Sequence, residues 1–146
     1  VLFRSQDRID QEISKAGITV LRDETLTLNN ELVLIGRNDN LTRNRPNTET
    51  LLKQVNTELP TILLDHRPTD IEKHASLPLD IQVSGHAHKG QVFPASLITK
   101  MMYRLDYGHE KIGNPHVFVT SGYGFWGIPM RLGSQSEVVI IDVKGK

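Results

Sequence analysis

The chain has 146 residues, with 17 Lys and Arg balancing 17 Asp and Glu, and it contains no cysteine. Because the net charge is zero, nothing favours nucleic acid or an anionic membrane as an electrostatic partner. The absence of cysteine excludes disulfides and thiolate metal sites, so histidine and carboxylate must hold any metal. The longest apolar runs, such as residues 138–141, are far shorter than the ~20 residues of a membrane-spanning helix, so no membrane segment is predicted in this chain.

The first third of the chain predicts one helix and three strands. The helix covers residues 6–16 and ends at Gly17, a residue type that is common just after helix C-termini. The strands cover residues 18–21, 25–28 and 31–35. Asn29 and Asn30 predict a tight hairpin turn between the last two strands, because asparagine tolerates a positive φ.

The rest of the chain continues the alternation of helices and strands. Asn47 is expected to cap a helix that carries Leu51, Leu52, Val55 and Leu59 on one face and ends at Pro60. Further strands are expected at residues 62–64, 81–83, 117–119 and 138–143, and further helices at residues 69–76, capped by Thr69, and 94–103. No repeat or linker interrupts the pattern, so residues 1–146 are predicted to form one domain.

Two histidines, His86 and His88, lie one residue apart directly after the apolar run at residues 81–83. Side chains at i and i+2 of an extended segment leave the same face, so both imidazoles are able to converge on one metal. Neutral imidazole binds zinc, manganese and iron. The competing interpretation is a solvated loop pair. Gly85 is expected to let the backbone approach closely, and Gly90 to let it turn away.

Two other apolar runs also end in loops with polar or aromatic side chains. His66 follows the run at residues 61–64, at the strand end where open α/β sheets place functional groups. The alternative is a histidine satisfied by a backbone carbonyl. The run at residues 116–119 leads into a glycine-rich loop that contains Tyr123, Trp126 and Arg131. Three strand ends of this kind predict one concave site.

The segments LDHRP (64–68), SGHAHKGQ (84–91) and SGYGFWGIPMR (121–131), in this order, resemble the C-terminal half of calcineurin-like metallophosphoesterases. The resemblance is to the bacterial branch with a membrane-associated N-terminus and extends from about residue 17 to residue 143. It implies an α/β fold, half of a two-sheet sandwich flanked by helices. It also implies hydrolysis of a phosphate mono- or diester at a dinuclear centre of Mn, Fe or Zn. His66 and His86 would bind one metal and His88 the other.

Several motifs of that family do not occur in this sequence. Asp-x-His, Gly-Asp and Gly-Asn-His, which carry the catalytic groups and the other ligands, are absent. We therefore expect a fragment of a longer protein that is inactive alone, holds at most one weakly bound ion, and associates with the absent N-terminal half or with itself. The alternative is a non-catalytic interaction module with a weak or structural metal site. The parent protein is expected to be membrane-associated or cytoplasmic, and the sequence does not choose between these locations.

The loop and strand-end residues have two interpretations each. Asp65 is either a plain turn residue or a carboxylate that orients a ligand imidazole. Tyr123 and Trp126 form either a wall of the substrate pocket or, for Trp126, the anchor of a packed turn. Arg131 is either a bidentate phosphate contact or a structural residue, and for this loop the structural interpretation is favoured.

The remaining histidines and a group of arginines are expected to have ordinary roles. His74 is predicted to lie on the exposed face of a short helix, and His109 and His116 are predicted to lack a special function. Three arginines surround Asn38-Asp39-Asn40 and are predicted to belong to a solvated loop, with the rim of an anionic pocket as the alternative: Arg37, Arg43 and Arg45.

Overall fold

A computed structural model describes the backbone of residues 2–144 and the side chains of residues 9–144. The elements, in chain order, are α1 (Leu2–Lys15), β1 (Glu24–Leu28), β2 (Leu32–Gly36), α2 (Thr48–Leu52), β3 (Thr61–Leu64), α3 (Ile71–His74), β4 (Ile81–Ser84), α4 (Ala95–Met102), β5 (Gly108–Lys111) and β6 (His116–Val119). A single 3-10 turn, His88–Gly90, lies between β4 and α4.

The strands form one mixed sheet in the order β1-β2-β3-β4-β6-β5. The four inner strands are parallel, and β1 and β5 pair antiparallel at the two edges. The β1–β2 hairpin turns at Asn29 and Asn30, whose φ values of 51° and 58° confirm the predicted tight turn. The α/β prediction is confirmed. Since parallel strands end at the same edge, the loops after β3, β4 and β6 share one side of the sheet.

Two apolar clusters support this sheet. The larger lies where β2 and β3 meet α2 and consists of Val33, Ile35, Leu51, Leu52, Leu63 and Leu79, and the smaller consists of Ile71, Val117 and Val119. Burial alternates along the inner strands: Val33, Ile35 and Leu63 are fully buried, whereas the residues between them are only partly buried. One face of these strands therefore carries the core.

Two predicted strands are wrong, and one strand was not predicted. Residues 18–21 and 138–143 are apolar, but neither segment pairs with a neighbour in the described part of the chain. An apolar run forms a strand only where a partner satisfies its backbone. Conversely, β5 has the polar sequence Gly-His-Glu-Lys, which gives no hydrophobic alternation, and it forms because the adjacent edge of β6 is available.

The predicted helices exist, but two are shorter than expected. Asn47 caps α2 as predicted, since its side chain accepts a hydrogen bond from the Thr50 amide, yet the helix ends at Leu52. Val55 and Leu59 still pack on the larger cluster from the turns that follow. The helix expected at residues 69–76 is the single turn α3, and its N-cap is Asp70 rather than Thr69. The helix predicted at residues 94–103 is confirmed as α4.

Large apolar side chains remain exposed on α4, on the loop at residues 122–132 and on the segment at residues 138–143. Met101 is 88% exposed, Trp126 76% and Ile140 90%. Exposed apolar side chains of this kind favour contact with another chain or segment, and the association of the fragment stays a prediction. In the described part of the chain, no helix combines the length and apolar character needed to cross a membrane.

Candidate metal centre

His66 and His86 lie side by side at the carboxyl edge of the sheet. β3 and β4 are neighbouring parallel strands, and each histidine lies two residues beyond the end of its strand. Nε2 of His66 and Nδ1 of His86 are hydrogen-bonded at 3.0 Å, so one of these nitrogens carries a hydrogen that it would lose if both bound one metal. The two rings are nearly perpendicular, at 76°, with centroids 4.9 Å apart. The structure thus brings together the two histidines that the family resemblance assigns to one metal.

The backbone around these histidines explains the close approach. The Gly85 amide donates a hydrogen bond to the His66 carbonyl at 3.0 Å, which ties the two loops together. His86 and His88 have φ values of 64° and 48°. Residues other than glycine seldom adopt this left-handed conformation, which is often found at functional sites. The extended geometry predicted for these two histidines is therefore wrong, because the chain turns at both.

His88 is held in one tautomer by the loop after β6. Its Nδ1 atom lies 3.1 Å from the carbonyl oxygen of Ser121. A carbonyl only accepts hydrogen bonds, so the hydrogen of neutral His88 is on Nδ1 and the lone pair is on Nε2. Metal-binding histidines are commonly oriented by a carbonyl in this way. Any metal bound to His88 in this arrangement therefore meets Nε2.

The environment keeps His86 and His88 neutral. Burial lowers the pKa of His86, and the positive charges of Arg67 and His66 lower it further. Burial also lowers the pKa of His88, although its hydrogen bond to Ser121 partly opposes the shift. Histidine coordinates a metal in its neutral form. The environment of both side chains therefore favours the neutral form that binds metal.

The donor set fits a divalent metal only in part. Two nitrogens that bind one ion at about 2.0–2.1 Å each are separated by roughly 3.0–3.4 Å, and the spacing of His66 and His86 falls at the lower end of this range. Within residues 9–144, however, no group of three or more His, Asp and Glu side chains is arranged to hold an ion. The described residues therefore do not by themselves form a metal site with three or more ligands.

Asp65 is buried and paired with an arginine. Its Oδ2 accepts a hydrogen bond from Nη2 of Arg45 at 2.5 Å, and its Oδ1 is buried without a hydrogen-bond partner among the described residues. Arg37 donates from Nε to Asp23 at 3.0 Å and from its terminal nitrogens to Thr48 and to the Pro46 carbonyl. The solvated-loop prediction is therefore wrong for Arg37 and Arg45, whose charges are neutralised inside the protein.

Arg131 organises the loop after β6. Its Nη2 donates to the carbonyl oxygens of Ser121, Gly122 and Gly124 at 2.9, 3.0 and 2.7 Å. Ser121 O therefore accepts from both Arg131 and His88. The contacts favour the structural interpretation of Arg131. Its role as a phosphate ligand stays a prediction.

The aromatic residues of this loop are exposed. Tyr123 is 78% exposed and Trp126 76%, so Trp126 is not the packed anchor that the structural interpretation expected. The loop is fixed instead by Gln91, which accepts a hydrogen bond from the Trp126 amide and donates to the carbonyls of Trp126 and Ile128. The proposed contact of Tyr123 and Trp126 with substrate is not tested by this geometry.

His74 was predicted to lie on the surface, and this prediction is wrong. It is 3% exposed, with Nε2 2.8 Å from Thr48 Oγ1 and Nδ1 2.9 Å from Gln82 Oε1. The Gln82 amide nitrogen donates to Ser84, so its oxygen accepts from His74 Nδ1. The polar partners that make burial possible are distant in sequence. Burial lowers the pKa of His74.

His109 and His116 have the ordinary placement predicted for them. Both are exposed, His109 on the edge strand β5 and His116 on its neighbour β6. Their rings are stacked at an angle of 9°, with Nε2 of His109 3.0 Å from Nδ1 of His116. His109 also stacks on Phe118, at a centroid distance of 4.4 Å. Cross-strand pairs of this kind stabilise a sheet edge.

The two glycines of the histidine loop have different roles. Gly90 has φ 72°, and a Cβ atom on it would collide with the backbone of Ser96 at the start of α4. A Cβ on Gly85 would meet no atom closer than 3.8 Å. The backbone of Gly85 does approach that of His66, but this contact leaves room for a Cβ and does not require glycine. The turn predicted for Gly90 is confirmed.

Sequence reasoning missed Glu137, which fastens the C-terminal segment to the end of β6. Its carboxylate accepts hydrogen bonds from the Ser121 amide, Thr120 Oγ1 and the Tyr107 hydroxyl, each at 2.9 Å. Burial raises the pKa of Glu137, but these hydrogen bonds outweigh it and the net shift is downward. An apolar cavity of about 500 Å³ lies between this segment and the sheet. No sequence motif marks a glutamate that acts through such distant partners.

Two bacterial proteins show what this chain is similar to. An uncharacterized metallophosphoesterase of Helicobacter pylori (strain J99) is 35% identical over 140 residues, which cover 92% of this chain and 38% of that protein. An uncharacterized metallophosphoesterase of Aquifex aeolicus is 37% identical over 141 residues, which cover 92% of this chain and 54% of that protein. This chain belongs to the metallophosphoesterase family. The resemblance that the sequence motifs indicated is therefore confirmed.

The similarity of this metallophosphoesterase chain extends to animals. A transmembrane protein with metallophosphoesterase domain from Danio rerio is 37% identical over 99 residues, 66% of this chain and 23% of that protein. No protein-family model and no solved structure matches the chain. The chain spans 38% of the length of the Helicobacter pylori protein and 54% of the length of the Aquifex aeolicus protein.

Proposed function

We propose that the protein containing this chain hydrolyses phosphate mono- or diesters at a dinuclear centre of divalent metal ions. In this proposal the chain contributes His66 and His86 as ligands of one ion and His88 as a ligand of the other. The observation that carries the proposal is the 3.0 Å separation of the His66 and His86 nitrogens at the carboxyl edge of the sheet. The metallophosphoesterase names of the relatives support the reaction class.

Two residues of the loop after β6, Ser121 and Arg131, orient the candidate ligand His88. Ser121 accepts from Nδ1 of His88 and thereby leaves Nε2 free to bind. Arg131 donates to the same carbonyl and holds it in position. Bound divalent ions supply Lewis acidity toward the phosphoryl oxygens. The other ligands and the catalytic groups are proposed to belong to the N-terminal half of the complete protein.

The second candidate is a non-catalytic interaction module with a weak or structural metal site. One observation favours it: among residues 9–144, no cluster of three or more potential ligands is arranged for an ion. A module of this kind would bind metal weakly and would hydrolyse no phosphate ester even in the complete protein. The two candidates therefore differ in a measurable activity.

The test is an assay of the complete protein with Mn²⁺, Zn²⁺ or Fe²⁺. The substrates are p-nitrophenyl phosphate, a monoester, and bis(p-nitrophenyl) phosphate, a diester. We expect hydrolysis that a chelator abolishes, and we expect His86→Ala to lower kcat/KM by about a hundredfold or more, since direct ligands matter at least as much as their supporting residues. The matched control is His109→Ala, which removes an exposed histidine from β5. Absence of hydrolysis with all three metals would favour the interaction module.

A further inference from the structure

Arg67 directly follows His66 and is fixed by a carboxylate. Its Nε donates to Oδ2 of Asp39 at 2.9 Å, and the two side chains are 22% and 34% exposed. Asp39 is held in turn, because its Oδ1 accepts from the Leu41 amide at 3.0 Å. The terminal nitrogens Nη1 and Nη2 of Arg67 have no hydrogen-bond partner among residues 9–144. The guanidinium is therefore oriented at one nitrogen and available at the other two.

The guanidinium belongs to the residue next to a candidate ligand. His66 and Arg67 are consecutive in the loop that follows β3. His66 in turn contacts His86, with Nε2 and Nδ1 3.0 Å apart. The partly exposed guanidinium therefore lies on the same loop as one of the candidate metal ligands.

The other arginines close to the site in sequence or structure are already occupied. Arg131 donates to three backbone carbonyls. Arg37 and Arg45 are buried in ion pairs with Asp23 and Asp65. A guanidinium that already holds a buried carboxylate or several carbonyls is costly to withdraw for a ligand. Arg67 differs from all three because both of its terminal nitrogens lack a hydrogen-bond partner among residues 9–144.

We infer that Arg67 binds the phosphoryl group of the substrate, with Nη1 and Nη2 donating to two oxygens that do not take part in bond cleavage. This assignment rests on the proposed function and adds a substrate-binding residue to it. The planar guanidinium matches two phosphate oxygens, and such charge-assisted pairs are the stronger class of hydrogen bond. Asp39 is a positioning residue, which acts by holding Nε.

The test compares four variants of the complete, metal-loaded protein: Arg67→Ala, Arg67→Lys, Asp39→Asn and Arg104→Ala. The readouts are KM for bis(p-nitrophenyl) phosphate and the inhibition constant of inorganic phosphate. We expect Arg67→Ala to raise both constants about tenfold or more, with a smaller change in kcat, because a charge-assisted contact to the phosphoryl group is lost. Arg67→Lys is expected to restore part of the affinity.

Two variants separate positioning from general damage. Asp39→Asn is expected to raise both constants in the same direction as Arg67→Ala but less, since the guanidinium remains. Arg104→Ala removes an exposed arginine that pairs with Glu110 at 2.5 Å and is expected to leave both constants unchanged. The bound metal content of each variant, measured by elemental analysis, is expected to equal that of the wild type.

The experiment distinguishes failure of the Arg67 assignment from failure of the proposed phosphoesterase function. If the wild type hydrolyses phosphate esters and Arg67→Ala keeps wild-type KM and phosphate inhibition, the assignment of Arg67 is wrong and the proposed function stands. If the wild type is inactive with every metal, the proposed function fails. Calorimetric titration of inorganic phosphate into the wild type and Arg67→Ala then tests the binding role directly, and equal affinities would overturn it.

Discussion

Nδ1 of His74 donates a hydrogen bond to Oε1 of Gln82 across 2.9 Å and thereby joins α3 to β4. On its other side, Nε2 lies 2.8 Å from Thr48 Oγ1 in α2 and accepts the hydroxyl hydrogen. The neutral imidazole therefore links three elements in the interior. Because Ser84, the last residue of β4, lies two residues before His86, this link supports the strand that delivers a candidate ligand.

The neutrality of His74 gives the folded state a pH dependence. Burial lowers its pKa below the usual 6.5, although the Gln82 contact and nearby carboxylates oppose the shift. As the pH drops below about 6.5, His74 becomes protonated in the unfolded chain but stays neutral in the folded chain. The free energy of unfolding therefore falls with decreasing pH. We expect His74→Gln to weaken this fall and, at pH 8, to cost about 1–3 kcal/mol, because Thr48 loses its partner.

Urea unfolding of the wild type and the variant between pH 5 and pH 8 measures the effect. Other titratable groups also contribute to the pH dependence of the wild-type free energy of unfolding. The difference between the wild-type and variant pH profiles therefore isolates the contribution of His74. The matched control is His109→Gln, an exposed histidine on β5. Parallel profiles for wild type and His74→Gln would show that His74 is not held neutral by burial.

The ion pair of Asp65 and Arg45 makes a second prediction. The two side chains are 1% and 8% exposed, and the contact between them is 2.5 Å. Removing Asp65 leaves buried Arg45 with only the longer contact of its Nε to Asp23 at 3.7 Å, so Asp65→Ala is expected to lower the free energy of unfolding by about 3–5 kcal/mol. The double variant Asp65→Ala with Arg45→Ala is expected to lose less than the sum of the losses of Asp65→Ala and Arg45→Ala measured singly. Strictly additive losses in urea unfolding would mean that the pair is not coupled.

The placement of His66 and His86 could be predicted because it depends on local patterns. Each histidine follows a short apolar run, and parallel strands end at a common edge. The order of the neighbouring strands was not predictable from these runs, yet any parallel arrangement would place both histidines on the same side. The tautomer of His88 could not be predicted, since it depends on a carbonyl 33 residues away.

The errors arose where distant residues decide the outcome. His74 has the spacing of a surface position in a short helix. Its burial is possible because Thr48 and Gln82 form hydrogen bonds with both of its ring nitrogens. Arg45 looks like a residue of a charged loop, but Asp65 neutralises it from the end of β3. The run at residues 138–143 has strand composition and no strand partner in the described structure. Local propensity does not report any of these interactions.

Two glycines of the histidine loop provide a matched pair of substitutions. Gly90→Ala is expected to lower the free energy of unfolding by about 2–4 kcal/mol, because it combines a positive φ with a collision against Ser96. Gly85→Ala is expected to change it by less than about 1 kcal/mol, since the nearest atom to the new Cβ lies at 3.8 Å. Thermal unfolding of both variants measures the contrast. Equal destabilisation would indicate that the loop takes another conformation than the one described.

The number of Mn²⁺ ions bound by the complete protein tests the central claim most directly. After gel filtration, elemental analysis counts the ions, and electron paramagnetic resonance reports whether two of them are coupled. With His66 and His86 on one ion and His88 on the other, the wild type is expected to bind about two ions per chain. The double variant His66→Ala with His86→Ala is then expected to lose one ion and the coupled signal. Retention of both ions and of that signal by the double variant would contradict the assignment.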